Sequence, residues 1–107
     1  MTTMTRLQQL SIFIALNRLL ANGVELKKAV KDLQKCDAGR ADLWEAAAER
    51  LDESNSLETL ADCLRGVVDD EVRMLVQLAR YEYRSNTLEA VVQYLTIALQ
   101  ARVSESQ

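Results

Sequence analysis

The sequence predicts an all-α domain, a six-helix bundle built from three antiparallel helical hairpins, on three observations. The 107 residues include no proline and only three glycines, whereas the strong helix formers Ala, Leu, Glu, Gln and Arg abound. Apolar residues recur at the i, i+3, i+4, i+7 spacing of one helix face along most of the chain. Two nearly identical phrases, SNSLETL at 54–60 and SNTLEAV at 85–91, carry the residue types that stop one helix and start another. A chain of this length is expected to be a single domain, 1–107, that buries a core without help from disulfides.

The first helix is expected over about 6–21, with Ile12, Phe13, Leu16, Leu19 and Leu20 on one face and Leu7, Leu10 and Ile14 widening it. Asn22 and Gly23 tolerate positive φ and end it. The second, about 25–35, has Leu26, Ala29, Val30 and Leu33 as its buried stripe and Lys27, Lys28, Lys31 and Lys35 mostly off it. A connector containing Gly39 leads to the third, about 40–52, marked by Leu43, Trp44, Ala47 and Leu51. In the first phrase, Asn55 is expected to close that helix in a left-handed conformation, and Ser56 to cap the fourth, about 56–65, with Glu58 complementing its dipole. Leu57, Leu60, Ala61 and Leu64 form the fourth stripe, and Gly66 ends it. The fifth helix, about 69–83, turns Val68, Val72, Leu75, Val76 and Ala79 inward. In the second phrase Asn86 turns the chain and Thr87 caps the sixth helix, about 87–102, which packs through Leu88, Val91, Val92, Leu95 and Leu99.

Three sets of apolar positions recur every 31 residues: Leu26, Leu57, Leu88; Ala29, Leu60, Val91; and Leu33, Leu64, Leu95. Common ancestry and shared helix-to-helix turn chemistry both account for this register. The aromatic and glycine pattern of a tetratricopeptide repeat is absent.

The formal charge of −3, with both signs interspersed, gives no electrostatic footprint for nucleic acid, so no nucleic-acid partner is expected. The most apolar stretch, LSIFIALNRLLA at 10–21, contains Asn17 and Arg18 and is shorter than the roughly 20 residues that span a bilayer. Cys36 and Cys63 match no zinc or redox spacing; each is expected to fill a helical core position, and a reducing cytosol is the natural compartment.

Catalytic equipment is missing. There is no histidine to move a proton near neutral pH, no glycine-rich phosphate cradle and no calcium loop, so no catalytic residue, cofactor or metal is expected. Glu45, Glu49, Asp52 and Glu53 read as a solvated face near Arg50, and Asp69, Asp70 and Glu71 as a first turn that complements the helix dipole. Phe13 and Trp44 are expected in the core. Tyr81 and Tyr83 point to different sides of the fifth helix, which makes Tyr81, Tyr83 and Arg84 the expected partner-binding corner.

LLANGVELKKAVKDL, at 19–33, resembles the opening of the cytoplasmic repeat domain of the type II secretion F protein and type IV pilus inner-membrane platform family. There, a Leu-Leu, Gly-hydrophobic-x-Leu, Ala sequence begins a six-helix bundle. SNSLETL is similar to that family's middle phrase, and YRSNTLEAVVQYL to its closing motif, so the resemblance covers about residues 12–99. Departures are visible: Asn55 and Asn86 stand where Gly is usual, VVDDEV replaces a Phe-Pro, and Tyr83 falls at the place of a Glu, so no role of that acid is transferred.

The resemblance implies a polytopic parent with two such domains on the cytoplasmic face of the bacterial inner membrane, this chain being the first and the membrane entering only through a later segment. It implies a non-enzymatic scaffold that contacts the assembly ATPase and other inner-membrane components of a pilus or secretion machine and forms a homodimer or higher homo-oligomer. The alternative is a free-standing helical adaptor or regulator that binds a protein or peptide in a groove between hairpins.

Overall fold

Thr5 fixes where the first helix begins. Its hydroxyl accepts the Gln8 N–H at 3.1 Å while the Gln8 side chain accepts the Thr5 N–H at 3.0 Å, a reciprocal cap that satisfies donors a helix start leaves open. In the computed structural model, which describes residues 3–79 and 87–105, this helix, α1, runs Arg6–Ala21. Then follow α2 (Leu26–Cys36), a 3-10 turn (Ala38–Arg40), α3 (Ala41–Glu53), α4 (Leu57–Cys63), α5 (Asp70–Leu78) and α6 (Glu89–Glu105). No strand occurs among the described residues, and none of their helices is long and apolar enough to cross a membrane.

At the end of α1, Asn22 keeps a negative φ of −83° and Gly23 alone goes left-handed, at φ 88°. That geometry lets Gly23 and Val24 donate their N–H groups to Leu20 and Leu19, both at 3.0 Å, so the last carbonyls are not left bare. The end of α3 departs from the sequence expectation. Ser54, extended at φ −146° and ψ 94°, leaves the helix one residue before Asn55 is reached. Ser56 does cap α4, its hydroxyl accepting the Thr59 N–H at 3.2 Å.

Two helices stop early. Helix α4 ends at Cys63, not 65, and the chain turns through residues 64–67 with Gly66 left-handed at φ 78°. Helix α5 ends at Leu78, not 83, where Ala79 becomes extended (φ −68°, ψ 143°). No glycine or proline lies between Asp69 and Asn86, so nothing in local propensity marks that stop. Helix α6 starts at Glu89, two residues after Thr87, and runs to Glu105. The Leu88 N–H is satisfied by Asn17 Oδ1 of α1 at 2.9 Å, a bond across 71 positions.

All nine residues of the 31-residue register are buried, so α2, α4 with Leu64 just after it, and α6 with Leu88 just before it present equivalent stripes to one core. To that core α1 adds Ile12, Phe13, Leu16 and Leu20, α3 adds Trp44, Ala47, Ala48 and Leu51, and α5 adds Val72 and Val76. The most extensive packing joins α2 to α3, α4 to α5, and α1 to α6, so the first and last helices lie together. A Cα radius of gyration of 13.3 Å matches the roughly 13 Å of one compact body of this length.

Helix α1 overturns part of its expected face. Leu7 is 66% exposed and Ile14 38% exposed, whereas Gln9 is fully buried. At about 100° per residue, Leu7 and Ile14 lie on the side opposite Gln9, Phe13, Leu16 and Leu20. Gln9 is accommodated because both ends of its amide are used: Nε2 donates to the Met4 carbonyl at 2.8 Å, and Oε1 accepts the Asp69 N–H at 3.2 Å. Around it the residues before α1 lie along the turn before α5. The Met4 N–H donates to the Val67 carbonyl at 2.7 Å, Thr3 Oγ1 donates to the Gly66 carbonyl, and Arg6 pairs with Asp69 at 3.1 Å. Met4 itself is buried in the core.

A second polar chain crosses from α1 to α3. Trp44 Nε1 donates to Asp37 Oδ2 at 3.0 Å, Asp37 pairs with Arg40 at 3.1 Å, and Arg40 reaches Gln8 Oε1 at 3.3 Å. The indole is thereby fixed at its polar end while its body fills the core.

Candidate functional site

The expected partner-binding residues Tyr81, Tyr83 and Arg84, and the expected turn residue Asn86, lie outside the described residues. The other turn residues, Asn22, Gly23, Asn55, Ser56 and Thr87, are dispersed over three inter-helix connections and form no common site.

The charged faces of α2 and α3 come together. Lys27 and Lys31 share a small cleft with Glu45, Glu49 and Asp52, and Lys27 is paired with Asp52 across the two helices. Asp52 of that acidic face is thus balanced within the molecule. Cys36 is exposed at the end of α2, against the expected core position, while Cys63 is half-buried against the core.

The larger cleft, about 470 Å³, is polar and lies where the end of α3, α4 and α5 meet. Arg50 enters it from α3, Asp62 from α4 and Arg65 from the turn that follows. Asp62 serves both arginines, Oδ2 accepting from Arg50 at 2.8 Å and Oδ1 from Arg65 at 3.4 Å. Those contacts, the Arg50 hydrogen bond first, hold the Asp62 carboxyl below its ordinary range, so it is ionised at neutral pH. One wall is a hydroxyl cluster: the Ser56 and Thr59 hydroxyls are 3.0 Å apart, and Thr59 Oγ1 donates to Ser54 Oγ at 3.0 Å.

Arg73 enters from α5 and differs from the other two. Its side chain is only 18% exposed, and its Nε is buried without a hydrogen-bond partner. The ion pair it makes, with Asp70, spans 3.9 Å, and Asp70 is 81% exposed, so solvent screens it. That pair is made through the same Nε, at a distance too long for a hydrogen bond, and a buried donor without a hydrogen bond is costly and rare in native folds. Sequence reasoning does not find this cleft, because each arginine taken alone reads as part of a solvated helix face.

Cys63 stands beside the cleft. Burial pushes its thiol up, more than the neighbouring Arg50 pulls it down, so it stays protonated at neutral pH and is a poor nucleophile. Alkylation by iodoacetamide at pH 7.5 is therefore expected to label Cys36 first and Cys63 about tenfold more slowly. Mass spectrometry of a time course checks this; equal rates would show that Cys63 is not shielded. Among the described residues, no group of three or more Cys, Asp or Glu side chains is disposed to hold a metal ion.

Comparison of the chain with protein-family models, with curated proteins and with solved structures gave no match.

Proposed function

We propose that this chain is a non-enzymatic scaffold domain, of the kind found in the inner-membrane platform proteins of type IV pilus and type II secretion assembly. In this reading three antiparallel helical hairpins sit on the cytoplasmic face of the membrane and contact the assembly ATPase, other machine components and a second copy of the domain. The observation that supports it best is the threefold register: equivalent apolar positions of α2, α4 and α6 enter one core at 31-residue intervals, after turn phrases similar to those of that family. Exposed Leu7 and Ile14 on the outer side of α1 add apolar surface suited to protein contact.

The test is a pull-down of the purified chain against the assembly ATPase and the full-length platform protein of a type IV pilus system. Its folded state is confirmed by circular dichroism. Retention of either at physiological salt is expected. Retention of neither by the folded chain overturns the platform reading and leaves the free-standing adaptor.

A further inference from the structure

We infer that the outward side of α1 and α6 is the contact face for a second copy of this chain, set so that α1 of one copy lies over α6 of the other. These two helices pack against each other, and both depart from the pattern of α2 and α3. On α2 and α3 the outward side is charged, with Lys28, Lys31, Glu45 and Glu49 exposed to solvent. Residues 7–17 of α1 and 90–101 of α6 contain no charged residue. Leu88, Val91 and Leu95 face the core, and at about 100° per residue Ile97 of α6 points the opposite way, 64% exposed. Leu7 and Ile14 do the same on α1. A helix whose sides are all uncharged and largely apolar belongs in an interior, yet the chain itself covers only one side of each.

Charge argues for the occupant. A two-fold contact sets a patch against itself, so a charged patch meets its own sign, whereas this face meets none. A two-fold axis running along the helices, between the faces, keeps each level of the bundle opposite the same level of the other copy. The bond from the Leu88 N–H to Asn17 Oδ1 puts the end of α1 level with the start of α6. Arg18 of each copy therefore comes opposite Glu89 of the other. Both side chains are exposed, and neither makes an ion pair among the described residues. A lipid surface draws on lysines and arginines spread along a helix, which this face lacks. At 1.5 Å per residue the face is about 24 Å long and, two helices across, about 20 Å wide, roughly 500 Å² per copy and about 1,000 Å² in all, the lower bound for a specific contact. An open groove of about 260 Å³ beside Ile14 and Val92 gives room for side chains of the other copy.

This inference rests on the scaffold reading above for the presence of a second copy, but its test uses the purified chain alone, so a monomeric chain and a failed pull-down are separate results. Sedimentation velocity from about 1 to about 500 µM is expected to show a reversible rise from one chain to two. Between about 0.05 and about 0.5 M sodium chloride the association should change less than about fivefold, because only the Arg18 and Glu89 ends are ionic. Ile97→Lys and Leu7→Lys, each at a largely exposed position, should weaken it about tenfold or more and leave the thermal midpoint of the dilute chain unchanged. Arg18→Glu should weaken it about threefold, and the same change combined with Glu89→Arg should restore it. Glu49→Lys, on the charged side, should have no effect. A chain that stays monomeric throughout overturns the inference; if it then floats with phosphatidylcholine vesicles in an Ile97-dependent way, the face belongs to a lipid surface. Association that persists in both lysine variants, or that is lost in Glu49→Lys instead, also overturns it. A double variant no better than Arg18→Glu overturns the placing of α1 over α6.

Discussion

Replacing Trp44 by alanine is expected to destabilise the fold by about 3–5 kcal/mol, because the largest fully buried side chain leaves a cavity its neighbours cannot fill. The midpoint of thermal unfolding should fall by about 15–30 °C, a loss large enough to unfold a marginal domain of this size. Trp44→Phe separates the two parts of the effect. It keeps an aromatic body in the core and removes the Nε1 donor from Asp37, which still holds Arg40. Its cost is expected at about 1–2 kcal/mol, the scale of one lost hydrogen bond plus the trimmed volume. Urea unfolding followed by far-ultraviolet circular dichroism measures both variants, since the mutation removes the chain's one tryptophan and with it the fluorescence signal. An alanine variant within about 1 kcal/mol of the parent would contradict the packing described for α3.

Gln9 is the second position of large effect, for a different reason. Gln9→Ala orphans the Met4 carbonyl and the Asp69 N–H together, and a loss of about 2–4 kcal/mol, or about 10–20 °C in thermal midpoint, is expected. Gln9→Leu restores most of the volume without restoring either bond, so it should remain destabilised. Gln9→Glu adds a pH dependence whose sign is fixed. A carboxyl group buried at this position has its pKa raised, because burial disfavours the charge and only the protonated form donates to the Met4 carbonyl. Its extra destabilisation, relative to the parent at the same pH, should be absent below the ordinary glutamate range and grow as pH rises through the raised value. Thermal melts at acid and neutral pH check this; a constant difference between the two proteins would show that position 9 is open to water.

How far the sequence anticipates the structure differs from helix to helix. In α2 and α4 the apolar stripe is narrow and flanked by charge, so periodicity alone identifies Leu26, Ala29, Val30 and Leu33, and Leu57, Leu60, Ala61 and Leu64, all of them buried. In α1 the apolar residues go round the whole cylinder, and periodicity has no contrast to work with. There the decision is made by tertiary hydrogen bonding: a glutamine enters because a carbonyl at Met4 and an N–H at Asp69 are waiting for it, and Leu7 goes to water. Turn chemistry is legible where a side chain acts on its own helix, as at Ser56 and Gly23. It is not legible where the partner is distant, as with Leu88, whose N–H is met by Asn17. The arginine cleft is hidden for the same reason, its three guanidiniums coming from two helices and a turn that only the fold brings together.

The meeting of α1 with α6, secured where Asn17 accepts from Leu88, has a consequence for biosynthesis. A ribosome delivers α1 before α6, so one side of α1 waits for the five helices that follow to emerge before its natural cover exists. Closing so long a loop adds an entropic cost that local contacts cannot offset, which makes this junction a late event on the folding route. During translation that side is open to chaperones, and cytosols in which they are depleted are where aggregation of the nascent chain should first be seen.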